Sequence, residues 1–134
     1  MLNLRKILCL GDIILDTYCK GLIERISPEA PIPVLKVIDD SKEHLGGSGN
    51  VARNITAAGG KCHLISVVGN DKNGKTLKKL CGDTKNLSFD LIIDKSRCTT
   101  KKQRFVSVNH QVLSVDRESS QDISKEIEKK IFNK

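Results

Sequence analysis

The chain has 134 residues, 38% hydrophobic and 29% charged, with a formal net charge of +7, which suffices for one globular domain with its own core. Three Phe, one Tyr and no Trp make that core aliphatic and exclude the stacking platforms of single-stranded nucleic-acid binders. The basic excess favours anionic ligands, but it is spread in short runs (Lys78-Lys79, Lys101-Lys102, Lys129-Lys130) that read as solvated surface, so no nucleic-acid partner is expected. The first apolar run, Lys6 to Gly11, reads as a buried strand ended by Gly11-Asp12. Ile13 to Lys20 continues extended. Pro28, Pro31 and Pro33 keep the next stretch out of a helix interior, and Val34 to Ile38 alternates like an edge strand. Gly47 to Ala58 reads as a helix with Val51, Ile55 and Ala58 on one face, stopped by Gly59-Gly60. His63 to Val68 is a second buried strand. Asp71 caps a helix over about residues 74–80, with Leu77 and Leu80 sharing a face. Phe89 to Ile93 is a third strand. Residues 99–107 and 111–116 form a hairpin around Asn109-His110. Ser120 to Phe132 is an amphipathic helix with Ile123, Ile127 and Ile131 spaced by four.

Strands alternating with helices imply an α/β unit with a largely parallel sheet. The extended segments 16–38 and 99–116 fall outside that alternation and point to a separate small β-layer. Cysteines stand at 9, 19, 62, 81 and 98. They form no CxxC pair, and Cys9 and Cys62 lie in apolar runs, a reduced pattern of small core residues rather than a disulfide framework or zinc site. There is no signal-peptide h-region and no apolar run of membrane-spanning length. A soluble, cytoplasmic protein without a membrane partner is expected.

Two glycine-rich stretches carry chemistry. In Gly46-Gly47-Ser48-Gly49-Asn50 the backbone can turn tightly and approach a ligand, a helix start offers unpaired N–H groups, and Asn50 adds an amide that donates and accepts. That suits a polyol or an anion; an ordinary strand-to-helix turn accounts for it equally. Gly69-Asn70-Asp71-Lys72-Asn73-Gly74-Lys75-Thr76 fits the G-x-x-x-x-G-K-[ST] phosphate loop and lies between a strand and a helix, with Leu91-Ile92-Ile93-Asp94 imitating the magnesium-holding strand. Against a small P-loop NTPase stand a carboxylate, Asp71, inside the loop that would cradle phosphates, and a second acid that follows after only one short helix.

Taken together, Gly11-Asp12-Ile13-Ile14-Leu15-Asp16, Arg25-Ile26-Ser27-Pro28-Glu29-Ala30-Pro31-Ile32-Pro33-Val34 and Gly46-Gly47-Ser48-Gly49-Asn50-Val51-Ala52 resemble the ribokinase-like (PfkB) sugar kinases. The 25–34 run is most similar to the subgroup of bifunctional heptose-phosphate kinase/adenylyltransferases. Gly69 to Gly74 matches the family's G-x-D-x-x-G turn. Residues 99–104 and 109–116 resemble the subgroup's second lid segment. The resemblance covers nearly the whole chain. Ser48 departs from the usual Gly, Ala or Pro, and Ser114 stands where the heptose subgroup has arginine. The G-A-G-D segment that supplies the base and anion hole has no match.

The resemblance implies the N-terminal part of a three-layer α/β/α kinase fold, residues 1–134, with a small β-sheet lid from about 16–38 and 99–116 and the C-terminal ATP-binding half absent. It implies phosphoryl transfer from ATP with Mg²⁺ to the anomeric hydroxyl of a heptose 7-phosphate, with no catalytic or nucleotide-binding residue in this chain and no activity of the chain alone. Asp16 follows the first strand, where ligands gather in open α/β sheets; it serves as a sugar contact or as a turn cap. Gly46 and Gly47 admit the sugar, and Asn50 bonds hydroxyls. Lys102 and Arg104 share a strand face that carries the distal phosphate or is merely solvated. Gln111 is a further sugar contact, and Asp12 serves structure or magnesium. The lid implies a homodimer. The other readings are a non-enzymatic lid or phosphosugar-binding module and the P-loop NTPase.

Overall fold

The computed structural model describes residues 6–134, with residues 40 and 41 described by backbone alone. In chain order the elements are β1 (Lys6–Leu10), β2 (Ile13–Ile26), β3 (Pro33–Gly47), α1 (Ser48–Ala57), β4 (Lys61–Val68), α2 (Lys72–Gly82), β5 (Leu87–Ile93), β6 (Lys101–Ser107), β7 (His110–Arg117) and α3 (Lys125–Phe132). They build a parallel sheet of order β1-β4-β5 and a second sheet of order β3-β2-β6-β7. In the second sheet β2 pairs antiparallel with β3 and parallel with β6, and β6 pairs antiparallel with β7.

The alternation of β4 sets the layers. Cys62, Leu64 and Val68 face α1 and α2, where they join Ala52, Leu77 and Cys81, and the core continues into the second sheet through Ile13, Leu15 and Leu45. Ile65 points the other way and packs with Ile92 and Ile127, flanked by Val67, Ile123 and Ile131. Helices α1 and α2 thus cover one face of the parallel sheet and α3 covers the β4–β5 part of the other, and the α/β/α class with an added small β-sheet is the one expected. Each fully buried leucine here contributes roughly 1.5–3 kcal/mol by leaving water.

The chain crosses between sheets at Gly11-Asp12, where the Ser66 hydroxyl bridges the two sides of the crossing. Ser66 is buried, donates to the Gly11 carbonyl at 2.6 Å and accepts the Ile13 N–H at 3.0 Å. A buried polar group must be paired in this way to avoid its desolvation cost.

Three local expectations are corrected. β1 is not buried: Leu8 and Leu10 are 62% and 60% exposed. It is an edge strand, and only its Cys9 face packs against the core, whereas α3 covers the β5 side. In α1 the buried residues are Gly49 and Ala52, while Val51 is half exposed. Small residues let this helix lie close to the sheet; a Cβ on Gly49 would come within 3.0 Å of the Ile13 side chain. α3 begins at Lys125 rather than Ser120, because the Ser124 hydroxyl accepts the Ile127 N–H as an N-cap and the Gln121 carbonyl is taken by Arg97 at 3.1 Å. Ile123 packs beside Ile127 from outside the helix. All five cysteines are free, and burial pushes the Cys81 thiol up to about 11.

Candidate functional site

β2 alternates strictly over its first half. Ile13, Leu15, Thr17 and Cys19 are buried, which turns Asp16 and Tyr18 to the opposite face. Register then brings partners beside them. His44 of β3 and Lys102 of β6 flank Asp16, Arg104 lies beside Tyr18, and Asp116 and Ser114 of β7 lie beside Lys102 and Arg104. Residues distant in sequence therefore share one face.

Arg104 is the hub. Its Nη1 donates to Asp16 Oδ1 at 2.8 Å and to the Tyr18 hydroxyl at 3.2 Å. The guanidinium carbon lies 5.3 Å from the Tyr18 ring centre, a cation–π distance. The Tyr18 ring meets His44 edge-on at 6.0 Å. Lys102 is engaged elsewhere: its ammonium reaches Asp116 at 2.6 Å, and Ser114 donates to the same carboxylate at 2.9 Å. Lys102, and then Ser114, hold the Asp116 carboxyl below its ordinary value.

The glycine loop has a different immediate task from the one expected. Gly47 closes β3 and caps α1 with φ +56° and ψ −132°. A Cβ there would overlap the Asp12 carbonyl oxygen, which accepts the Ser48 N–H at 2.8 Å. A Cβ on Gly46 would lie 2.5 Å from Asp16 Oδ2. The close approach these glycines permit is that of the protein's own Asp12 backbone and Asp16 carboxylate. Ser48 is used: its hydroxyl donates to the Gly11 carbonyl at 3.0 Å.

Asn50, in the first turn of α1, accepts from Arg53 Nη2 at 3.0 Å. Asp16, Tyr18, His44, Leu45, Asn50 and Arg53 enclose a cavity of about 300 Å³. Of the predicted residues the structure thus places Asp16 and Asn50 on one cavity, with Arg104 and Gly46 against the Asp16 carboxylate and Lys102 beside it on β6. It does not bring Gln111 there: this residue is exposed beside Val106, near the turn of the β6–β7 hairpin. Tyr18, His44 and Arg53 were missed. Tyr18 was findable as the residue two after Asp16 on a strand, and Arg53 as the residue three after Asn50 on a helix; His44 required the register.

The phosphate-loop motif folds otherwise. The Gly74 N–H goes to Asp71 Oδ1 at 2.8 Å and the Gly69 N–H to Thr99 Oγ1 at 2.9 Å, so two of the loop's donors serve the chain itself, and the Asp71 carboxylate lies inside the loop. Asp71 caps α2 and also accepts the Thr99 N–H at 2.8 Å. Asp94 faces Arg97 at 2.9 Å and Ser96. Among the described residues no group of three His, Cys, Asp or Glu is placed to hold a metal ion, and no helix is long and apolar enough to cross a membrane.

The family model described as pfkB family carbohydrate kinase matches residues 4–133. The chain belongs to this family. Among relatives of this pfkB chain, the bifunctional protein HldE of Caulobacter vibrioides is 46% identical over 85% of the chain and 23% of its own length. The bifunctional protein HldE of Helicobacter pylori J99 is 43% identical over 97% of the chain and 28% of its own length. The chain therefore spans about a quarter of the relatives it matches. In fold it is similar to phosphofructokinase-2 from Escherichia coli, solved in complex with substrates and products, with a TM-score of 0.73 over 96% of the chain and 40% of that chain at 20% identity. The pfkB assignment agrees with the α/β/α layering.

Proposed function

We propose that this chain is the sugar-binding part of an ATP-dependent kinase that phosphorylates the anomeric hydroxyl of D-glycero-β-D-manno-heptose 7-phosphate, in the synthesis of ADP-heptose for lipopolysaccharide core. The observation that carries this reading is the convergence of Asp16 and Asn50 on one cavity in a pfkB chain 40–46% identical to HldE proteins.

The chain's residues have separable tasks. Asp16 accepts two sugar hydroxyls. Arg104 fixes the orientation of that carboxylate in advance, which lowers the ordering cost on binding. Asn50 bonds a hydroxyl from the helix side, while Arg104 and Lys102 are matched by Asp16 and Asp116. Phosphoryl transfer depends mainly on such positioning together with charge stabilisation. ATP is the donor on this reading, with Mg²⁺ neutralising charge on the transferred group. The catalytic base and the nucleotide site are assigned outside these residues, so the chain alone transfers no phosphoryl group. The outer sheet exposes Leu113 and Val115, which share one face of β7, apolar residues that suit a second copy of the same sheet. Sedimentation of the full-length protein as a monomer at micromolar concentration refutes that dimer.

The test is ADP release by the full-length protein with heptose 7-phosphate and ATP. Asp16→Asn is expected to lower kcat/KM about 10–100-fold, the worth of a hydrogen bond to a charged group. No turnover of this sugar, or unchanged kinetics in Asp16→Asn, overturns the proposal.

A further inference from the structure

We infer that Arg53 is a specificity residue, the guanidinium that receives the phosphate of a phosphorylated sugar and sets it apart from the free sugar. The inference rests on the sugar-kinase reading above and goes beyond it by naming the residue that recognises the anionic end of the substrate.

Charge around the cavity is unevenly matched. Asp16 is matched by Arg104 at 2.8 Å. Lys102, the β6 residue beside Asp16, is matched by Asp116 at 2.6 Å. Arg53 lines the same cavity as Asp16 and, among the described residues, has no carboxylate partner. Its one side-chain bond is to the neutral oxygen of Asn50 at 3.0 Å. Among the residues that line the cavity, the positive charge without a carboxylate partner is therefore on the helix side. A guanidinium has five N–H donors in a planar fork, and the bond to Asn50 engages one nitrogen. A phosphate is the stronger acceptor and matches the fork with two parallel bonds. Exchange of Asn50 for phosphate also frees the Asn50 amide for a sugar hydroxyl, so one rearrangement equips both residues. The cavity, about 300 Å³, lies at the lower end of small-molecule sites and suits a single sugar phosphate, with hydroxyls toward Asp16 and the phosphate toward α1.

The experiment is calorimetric titration of the full-length protein, as wild type, Arg53→Met and Arg53→Lys, with D-glycero-D-manno-heptose 7-phosphate and with the unphosphorylated heptose. Arg53→Met is expected to weaken binding of the 7-phosphate at least about tenfold and to leave the free heptose within about twofold. Arg53→Lys recovers part of the loss, because charge returns without the fork. Arg53 is exposed, so the thermal midpoints of the three proteins stay together. If Arg53→Met binds both sugars as wild type does, Arg53 is a solvated helix residue and the inference is wrong. If it weakens both sugars alike, Arg53 acts by holding Asn50 and the inference is again wrong. In both cases the kinase reading stands. Wild type that binds neither sugar overturns the kinase reading, and this inference with it.

Discussion

Substituting alanine for each of two adjacent glycines separates folding from binding in the 46–49 loop. Gly47 has φ +56°, in a region where a side chain costs about 1–3 kcal/mol. Its new methyl also meets the Asp12 carbonyl oxygen, which is backbone and already holds the Ser48 N–H. Relief requires moving the crossing between the sheets, at about 1–3 kcal/mol for overpacking. Gly47→Ala is therefore expected to lose ~2–6 kcal/mol, a large part of the ~5–15 kcal/mol that holds a domain folded, and ~10 °C or more in midpoint. Gly46→Ala is different. The methyl lies 2.5 Å from Asp16 Oδ2 and 2.8 Å from Asp16 Cγ, atoms at the end of a side chain that can swing. The expected loss is ~1–2 kcal/mol, but Asp16 must leave Arg104, so sugar affinity falls far more than stability. Gly82→Ala is the control: nothing lies within 4 Å of its Cβ, and at the last residue of α2 it is expected to gain up to ~1 kcal/mol. Urea unfolding and sugar titration of the full-length variants measure all three. A Gly47→Ala protein within about 1 kcal/mol of wild type, or a Gly46→Ala protein with full sugar affinity, refutes the reasoning.

Leu77 has no exposed surface, and Leu77→Ala is expected to cost ~2–5 kcal/mol in urea unfolding. The Ser96 hydroxyl and N–H, and then Arg97, hold the Asp94 carboxyl at about 2, below its ordinary 3.8. Its stabilisation is thus complete above pH 3.8 and is lost as pH falls through about 2. Asp94→Asn is expected to flatten that acid limb; a parallel curve contradicts the assignment. Lys75→Ala is expected to leave nucleotide affinity of the full-length protein unchanged, because the Gly74 and Gly69 N–H groups are committed to Asp71 and Thr99 and the Asp71 carboxylate occupies the loop. Loss of ATP binding in fluorescence titration revives the phosphate-loop reading.

Sequence reached those features whose cause is local. The Asp71 cap, the glycine stop after α1 and the β6–β7 hairpin follow from side chains acting within a few residues, and the structure has each of them. Burial of β1 failed because apolar content says a strand is fit for a core, while its place in the sheet decides what covers it. The buried face of α1 was mistaken because Gly49 and Ala52, which look unremarkable for burial, allow the closest helix–sheet approach. At the site, Asp16 and Asn50 were legible from loops after a strand and before a helix. The partner of Asp16 was not, since choosing Arg104 over the neighbouring Lys102 depends on Asp116 across a third strand. Gln111 failed for the same reason: a hairpin's register places it, and the register has a bulge between Phe105 and Val106.

The parallel pairing of β2 with β6 has a consequence during synthesis. Asp16 and Arg104 meet across 88 positions of sequence. From the end of β3 at Gly47 to the end of β6 at Ser107, at ~5–20 residues per second of translation, the finished β2–β3 hairpin waits roughly 3–12 s with the inner edge of β2 unpaired. In that interval Ile23 and the exposed Leu22 and Ile26 sit on a hairpin whose free edge is a template for another nascent chain. The strand that bears the sugar-facing carboxylate thus stays open along one edge until β6 is made, and the ribosome-bound hairpin is a stage exposed to aggregation.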